Sequence, residues 1–165
     1  MNHQQIEQYA AGADTVAQAI RGLSRQEFLA TPVPGTWSIL QIVVHFMDSD
    51  LIGADRMKRI IAEHNPTLIG YDETAFSQRL FPERLDPFQA AEVFRLNREL
   101  TAVILRSLPE SAFNRTGQHS ERGQVTLSSM IQNYVEHLEH HLRFIEKKRS
   151  LLGNPGADHT GQSAR

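Results

Sequence analysis

The chain contains no cysteine. That absence excludes disulfides, thiolate metal sites, iron–sulfur clusters held by the chain and a cysteine nucleophile. A dominant charge is missing too: 17 lysines and arginines stand against 19 aspartates and glutamates, for a net charge of −2. Nucleic-acid binders and membrane-surface proteins want a basic face, so neither nucleic acid nor membrane is expected as a partner. No apolar run approaches the ~18 residues of a spanning helix. The opening MNHQQIEQYAAGAD has neither the basic nor the apolar region of a secretory signal, and a reducing, cytoplasmic setting is the expectation. Gly-rich phosphate loops, a G-x-S-x-G elbow, the E-x-x-H pairs of di-iron bundles and H-E-x-x-H are all missing.

What is present is helical. The 165 residues, 40% apolar and 22% charged, suit one domain with a real core. Ile6, Tyr9, Ala10, Ala13, Val16, Ala17 and Ile20 recur at three- and four-residue steps and predict a first helix. Gly22 lies near its end, and TPVPGTW, with two prolines and a glycine, cannot continue it. Ser38 and Gln41 have capping-box spacing and open a second helix, with Ile39, Ile42, Val43, Phe46, Met47, Ala54, Met57, Ile60 and Ile61 as its stripe. From His64 to Arg84 no period is sustained, and the segment reads as a long crossover. Asp86-Pro87 announces a third helix, whose expected buried face is Val93, Leu96, Leu100, Val103 and Ile104, and Pro109 ends it. A fourth helix runs from near Thr126 to about Leu152, stopped by Gly153. QVTL is too short to be read as a strand. Residues 154–165 read as a disordered polar tail behind a single domain of residues 1–153. Four helices with one long connection predict an all-α four-helix bundle.

Histidine is the notable residue, with eight copies. On a 100° wheel, His141 falls inside the core-facing arc of the fourth helix and His137 at its edge, whereas His140 points away. The i, i+4 spacing lets two imidazoles share one metal ion. A buried histidine that merely hydrogen-bonds a neighbour is the plainer alternative, but burying two of them neutral needs two partners, and one metal satisfies both. His45 flanks the stripe of the second helix, so a tilt of that helix can aim it at the fourth. Asp50 lies within the same apolar arc and needs a partner. Two roles stand open for it: orienting a ligand histidine, or a buried polar contact with Tyr134 or Asn133. Three histidines without a fourth protein ligand would leave positions open, as catalytic sites do, and imidazole does not discriminate among zinc, nickel, manganese and iron.

Trp37-Ser-Ile-Leu-Gln-Ile-Val-Val-His45-Phe-Met-Asp48-Ser49 resembles the second-helix motif of the DinB-like superfamily. Tyr71-Asp72-Glu73-Thr-Ala-Phe76 is similar to the crossover segment of its YfiT-like branch, and Val135-Glu-His137-Leu-Glu-His140-His141 resembles the H-x-x-x-H of its last helix. The resemblance implies an up-down-down-up bundle with the crossover between helices two and three. It implies one divalent metal on His45, His137 and His141, and a homodimer. Where that branch often has a further histidine five residues after the first ligand, this chain has Asp50. The activity expected is transfer of a low-molecular-weight thiol onto a small-molecule electrophile, the attacking sulfur coming from a co-substrate because the chain has no cysteine thiol. Two alternatives stand beside it: hydrolysis by metal-activated water, and a non-catalytic, stress-related metal-binding or interaction bundle. His119, in the loop before the fourth helix, and Tyr134, on the ligand face, are candidate catalytic groups, each with an ordinary structural role as the alternative. Asp50 and His140 are candidates for supporting the ligand histidines, and Trp37 reads as a packing anchor.

Overall fold

The computed structural model describes residues 2–154. Among these residues there are seven α-helices: α1 (Asn2–Ala11), α2 (Thr15–Ala19), α3 (Arg25–Leu29), α4 (Ile39–Ala62), α5 (Glu73–Arg79), α6 (Pro87–Arg106) and α7 (Leu127–Leu151). Of these, α1, α4, α6 and α7 form the bundle. Side-chain pairings set their directions. Phe46 meets Phe94 and Asp50 meets Arg98, so α4 and α6 run parallel. His45 meets His141 while Gly53 meets Tyr134, so α7 runs against α4. Asn2 bonds Ser128 and Gly12 touches Leu138, which makes α1 parallel to α7. The result is the up-down-down-up bundle. Two neighbours running parallel cannot be joined by a tight turn, which is why the chain spends residues 63–86 on a crossover holding α5 and a 3-10 turn. No helix among the described residues is long and apolar enough to cross a membrane.

Local chemistry starts and stops these helices as the sequence predicts. Ser38 caps α4 in a reciprocal box with Gln41, Asp86 accepts from the amides of Phe88 and Gln89 ahead of α6, and Thr126 caps α7. Gly153 takes φ +74° just past α7.

Other expectations are corrected. The first apolar stripe is not one helix. It breaks at 12–14, where Gly12 runs against α6 and α7: a Cβ there would lie 2.6 Å from Arg98 Nη1 and 2.5 Å from Leu138 Cδ2. An unanticipated α3 follows, capped by a Ser24–Glu27 box. The segment before α7 contains strands after all. β2 (Thr116–His119) pairs antiparallel with β3 (Gly123–Thr126), which takes in Gln124, Val125 and Thr126, and parallel with β1 (Thr67–Leu68) in the crossover. This sheet ties the crossover to the segment before α7, a long-range pairing that a local pattern does not display. The expected tail lies outside the described residues from 155 onward.

The largest correction concerns α6. Its buried face is Ala90, Ala91, Phe94, Arg98, Thr101, Ala102 and Leu105. The expected face is largely exposed: Val93 40%, Leu96 44%, Leu100 67% and Val103 58%. Small residues let α6 approach α4, and one buried arginine closes the gap. Arg98 is 1% exposed. Its Nε donates to Asp50 Oδ1 at 2.9 Å, Nη2 to the Tyr134 carbonyl at 2.8 Å and Nη1 to the Tyr9 carbonyl at 3.3 Å. Its guanidinium also stacks over Tyr9 and Phe94. Asp50 takes further bonds from Asn97 Nδ2 at 2.8 Å and the Tyr9 hydroxyl at 3.3 Å. All four bundle helices meet at this pair, which lies between two hydrophobic clusters.

Removing one partner of such a pair strands the other charge. Arg98→Met is expected to lower stability by about 3–5 kcal/mol, read as a lowered urea midpoint. The double variant with Asp50→Leu should recover part of the loss, because no stranded carboxylate remains.

Candidate metal centre

The site builds from α4 and α7. His45 sits among Val43, Val44 and Phe46 on the buried side of α4 and is 5% exposed. His137 and His141 are one turn apart on the facing side of α7, both half-buried. Because the two helices run antiparallel, the single ring on α4 falls between the two on α7. His45 Nε2 lies 2.9 Å from His137 Nε2, and ring centroids are 4.7 Å from His45 to His141 and 4.6 Å from His137 to His141. One nitrogen from each of the three lies within 4.8 Å of the others.

The rings are held in place. Trp37, one residue ahead of the cap of α4, lies 5.0 Å from the His45 ring and stacks at 6.3 Å and 10° on His141. Phe46 stands edge-on to His137 and His141. The Tyr71 hydroxyl lies 3.4 Å from His45 Nδ1.

Burial keeps all three imidazoles neutral, helped by the neighbouring rings of the cluster for His45 and His137 and by His140 for His141. His45 and His141 are each pushed down to about 4 and His137 to about 3. Three neutral rings offer lone pairs that cannot all satisfy one another. His45 and His137 can share one proton, yet His141 Nδ1 is buried with no hydrogen-bond partner among the described residues. A divalent ion suits that donor set: soft enough for imidazole, with no protein carboxylate or thiolate required. The three predicted ligands are therefore brought to one point.

The supporting candidates fare differently. Asp50 does not orient a ligand histidine, nor does it bond the Tyr134 or Asn133 side chain. Its carboxylate is taken up by Arg98, Asn97 and Tyr9. His140 is exposed, edge-on to His141 at 5.3 Å and against Phe144, without a hydrogen bond to the other three. His119 is not poised over the site. It is buried in β2, where its Nδ1 accepts from the Glu121 amide at 3.2 Å, and its neighbours in charge are Arg56 and Arg122. Tyr134 packs into a seat made by Gly53, where a Cβ would sit 2.2 Å from its Cζ, and its hydroxyl accepts from Arg56 Nη1 at 3.5 Å. The Tyr134 ring centroid is 6.1 Å from that of His137.

Sequence reasoning missed a second group. Asp48 and Glu73 line a small recess with His45 and Tyr71, and partial burial raises both carboxyls above their ordinary range. The signal was the spacing of Asp48 three residues after His45, which puts both on one side of α4.

The sign of the pH dependence follows from the lowered histidines. Between about pH 6.5 and their folded values near 4 and 3, the unfolded chain binds protons that the folded chain refuses. Metal-free protein should therefore hold its full stability above pH 6.5 and lose it progressively toward pH 4. Urea midpoints across that range check this, and His137→Ala should flatten the slope.

Comparison with known proteins agrees with the geometry. The sequence profile of the DinB superfamily matches residues 8–145. "Putative metal-dependent hydrolase YfiT" of Bacillus subtilis is 28% identical over 120 residues, covering 72% of this chain and 67% of that protein. A Bacillus mycoides protein described as a metal-dependent hydrolase in the same terms is 30% identical over 139 residues, covering 83% and 79%. A similarly described protein of Oceanobacillus iheyensis is 24% identical over 157 residues, covering 94% and 88%. The solved structure of Bacillus subtilis YfiT, reported as a probable metal-dependent hydrolase with an unusual four-helix bundle topology, superposes with a TM-score of 0.86 over 92% of this chain and 87% of that one, at 24% identity. Helix order, crossover and the matched span of 138 residues together place this chain in the DinB superfamily.

Proposed function

We propose that this protein is a metal-dependent enzyme of the cytoplasm that adds a small external nucleophile to a small-molecule electrophile, with His45, His137 and His141 holding one divalent ion: zinc, nickel, manganese or iron. The observation that carries the reading is the convergence of three neutral imidazoles, one with an orphaned nitrogen. A divalent ion on three imidazoles with positions left open supplies Lewis acidity that lowers the pKa of a thiol or of water.

The chain's own residues do the rest. Tyr71 occupies His45 Nδ1 and leaves Nε2 to face the other rings. Trp37 and Phe46 hold the imidazoles and keep that side dry. Asp48 and Glu73, with carboxyls raised by partial burial, are placed to accept a proton beside His45. No side chain is itself a sulfur nucleophile, so we favour a low-molecular-weight thiol as co-substrate. The carbon–sulfur bond forms as the electrophile's leaving group departs, and the thiol proton passes to a carboxylate or to solvent. Hydrolysis by water is the second reading, favoured by how the Bacillus and Oceanobacillus relatives are described.

Untagged protein is expected to carry about one divalent ion per chain, lost in His137→Ala and His141→Ala by elemental analysis. Metal removal should abolish turnover of a thiol with a chlorinated aromatic and lower the melting temperature while leaving the protein folded. Absence of metal-dependent conjugation across several thiols would overturn the transferase reading, and ester cleavage by the same preparation would support hydrolysis. Unfolding on metal loss would favour a structural bundle.

The exposed stripe of α6 supports a further part of the reading, pairing with a second copy. Val93, Leu96, Leu100 and Val103 are spaced three, four and three apart, an order that reads the same in reverse. An antiparallel two-fold contact sets Val93 against the partner's Val103 and Leu96 against the partner's Leu100, the self-complementarity a symmetric dimer requires. Light scattering should give twice the 18.7 kDa chain mass, and Leu100→Glu should return a folded monomer.

A further inference from the structure

A cavity of about 350 Å³ lies between the segment before α4 and the last turns of α7. That volume is at the low end of the ~300–1,000 Å³ range of small-molecule sites. Its walls include Val33, Trp37, Ile42 and Phe144, and it reaches His141. The proline- and glycine-rich loop builds one side, turning through Gly35 at φ +74°, a left-handed conformation that glycine adopts without strain. So the segment that ends the first helical region also shapes a wall.

Two lysines also line it, Lys147 at the surface and Lys148 inside. Lys148 is 4% exposed. Its ammonium has three hydrogens to donate, and among the described residues its one acceptor is the Thr36 hydroxyl at 2.6 Å. Thr36 sends its own proton to the Val33 carbonyl at 2.8 Å, which turns a lone pair toward the lysine. Among the described residues no carboxylate pairs with Lys148. Burial, with Lys147 beside it, lowers its pKa. A buried cation without a counter-charge is costly, so an anion that reached it would be held by the charge it neutralises.

We propose that this cavity binds an organic carboxylate, with the Lys148 ammonium taking its anionic head and Trp37 and Phe144 flanking its apolar body. Lys148 and His141 are seven residues apart on α7, two turns on one face, or about 10 Å along the axis. The distance sets a ruler: a carboxylate at Lys148 directs the other end of a molecule of that length toward His141. The substrate class is thus an apolar or aromatic acid with its reactive group remote from the carboxylate. The direction toward His141 rests on the metal-enzyme reading above; the anion site does not.

Trp37 is the chain's single tryptophan and lines the cavity, so its fluorescence reports binding there; the metal is left out because the same ring lies against His45 and His141. Metal-free protein is titrated with 4-phenylbutyrate, its uncharged amide and inorganic phosphate. The expected result is a saturable change with phenylbutyrate, weakened at least about tenfold in Lys148→Met and kept in Lys148→Arg, with the amide binding both forms alike. Circular dichroism confirms that each variant is folded. Equal phenylbutyrate affinity in wild type and Lys148→Met, no saturable change with the carboxylate, or a response to phosphate alone would overturn the proposal. Metal content is measured in parallel. Wild-type protein that takes up metal yet binds no carboxylate defeats this site and spares the metal reading, and wild-type protein that binds the carboxylate yet takes up no metal defeats the metal reading and spares the site.

Discussion

The Asp50–Arg98 pair is the constraint around which the bundle is arranged. It joins α4 to α6 by an ion pair and reaches α1 and α7 through the carbonyls of Tyr9 and Tyr134. An apolar interface tolerates small slides and rotations, whereas a guanidinium with fixed donors to three helices does not. Burying two charges gains little stability against a well-packed apolar alternative. What it supplies is a single register among four rods.

That register places the metal centre. Asp50 lies five residues beyond His45 on α4, and Tyr134 three residues before His137 on α7. With α4 and α7 locked at the level of Asp50 and Tyr134, the next turn of each helix brings the imidazoles together. Gly53 belongs to the same arrangement, because Tyr134 needs the space a side chain there would fill. The polar layer and the histidine cluster are adjacent storeys of one interface, the first closed by its own partners and the second left with an unsatisfied nitrogen.

Legibility varied with the range of the interaction. Caps at Ser38, Asp86 and Thr126, the stop at Gly153 and the i, i+4 histidines on α7 are local, so the sequence shows them. α6 misled for a physical reason: it is apolar on two faces, and the outer one carries the regular run of Val93, Leu96, Leu100 and Val103. The inner face reads as weak because, between Phe94 and Leu105, it is built from alanine, threonine and an arginine whose partner is 48 residues away. β1 and β2 pair across 51 positions, and short strands of that kind leave no periodic trace. Asp50 reads as a carboxylate in need of a partner, but nothing local in the sequence points to Arg98.

The sequence by itself determined the helical class, the long crossover and the absence of any side-chain thiol, because composition, capping and spacing act within a few residues. It also put two imidazoles on one helical face. Only the tertiary structure decided that His45 turns inward to join them, that Asp50 serves the fold rather than the site, that His119 is fixed in a sheet and that Lys148 is buried with no carboxylate beside it among the described residues. Each of those depends on which helices pack side by side and at what height, and that is set by contacts between residues tens of positions apart.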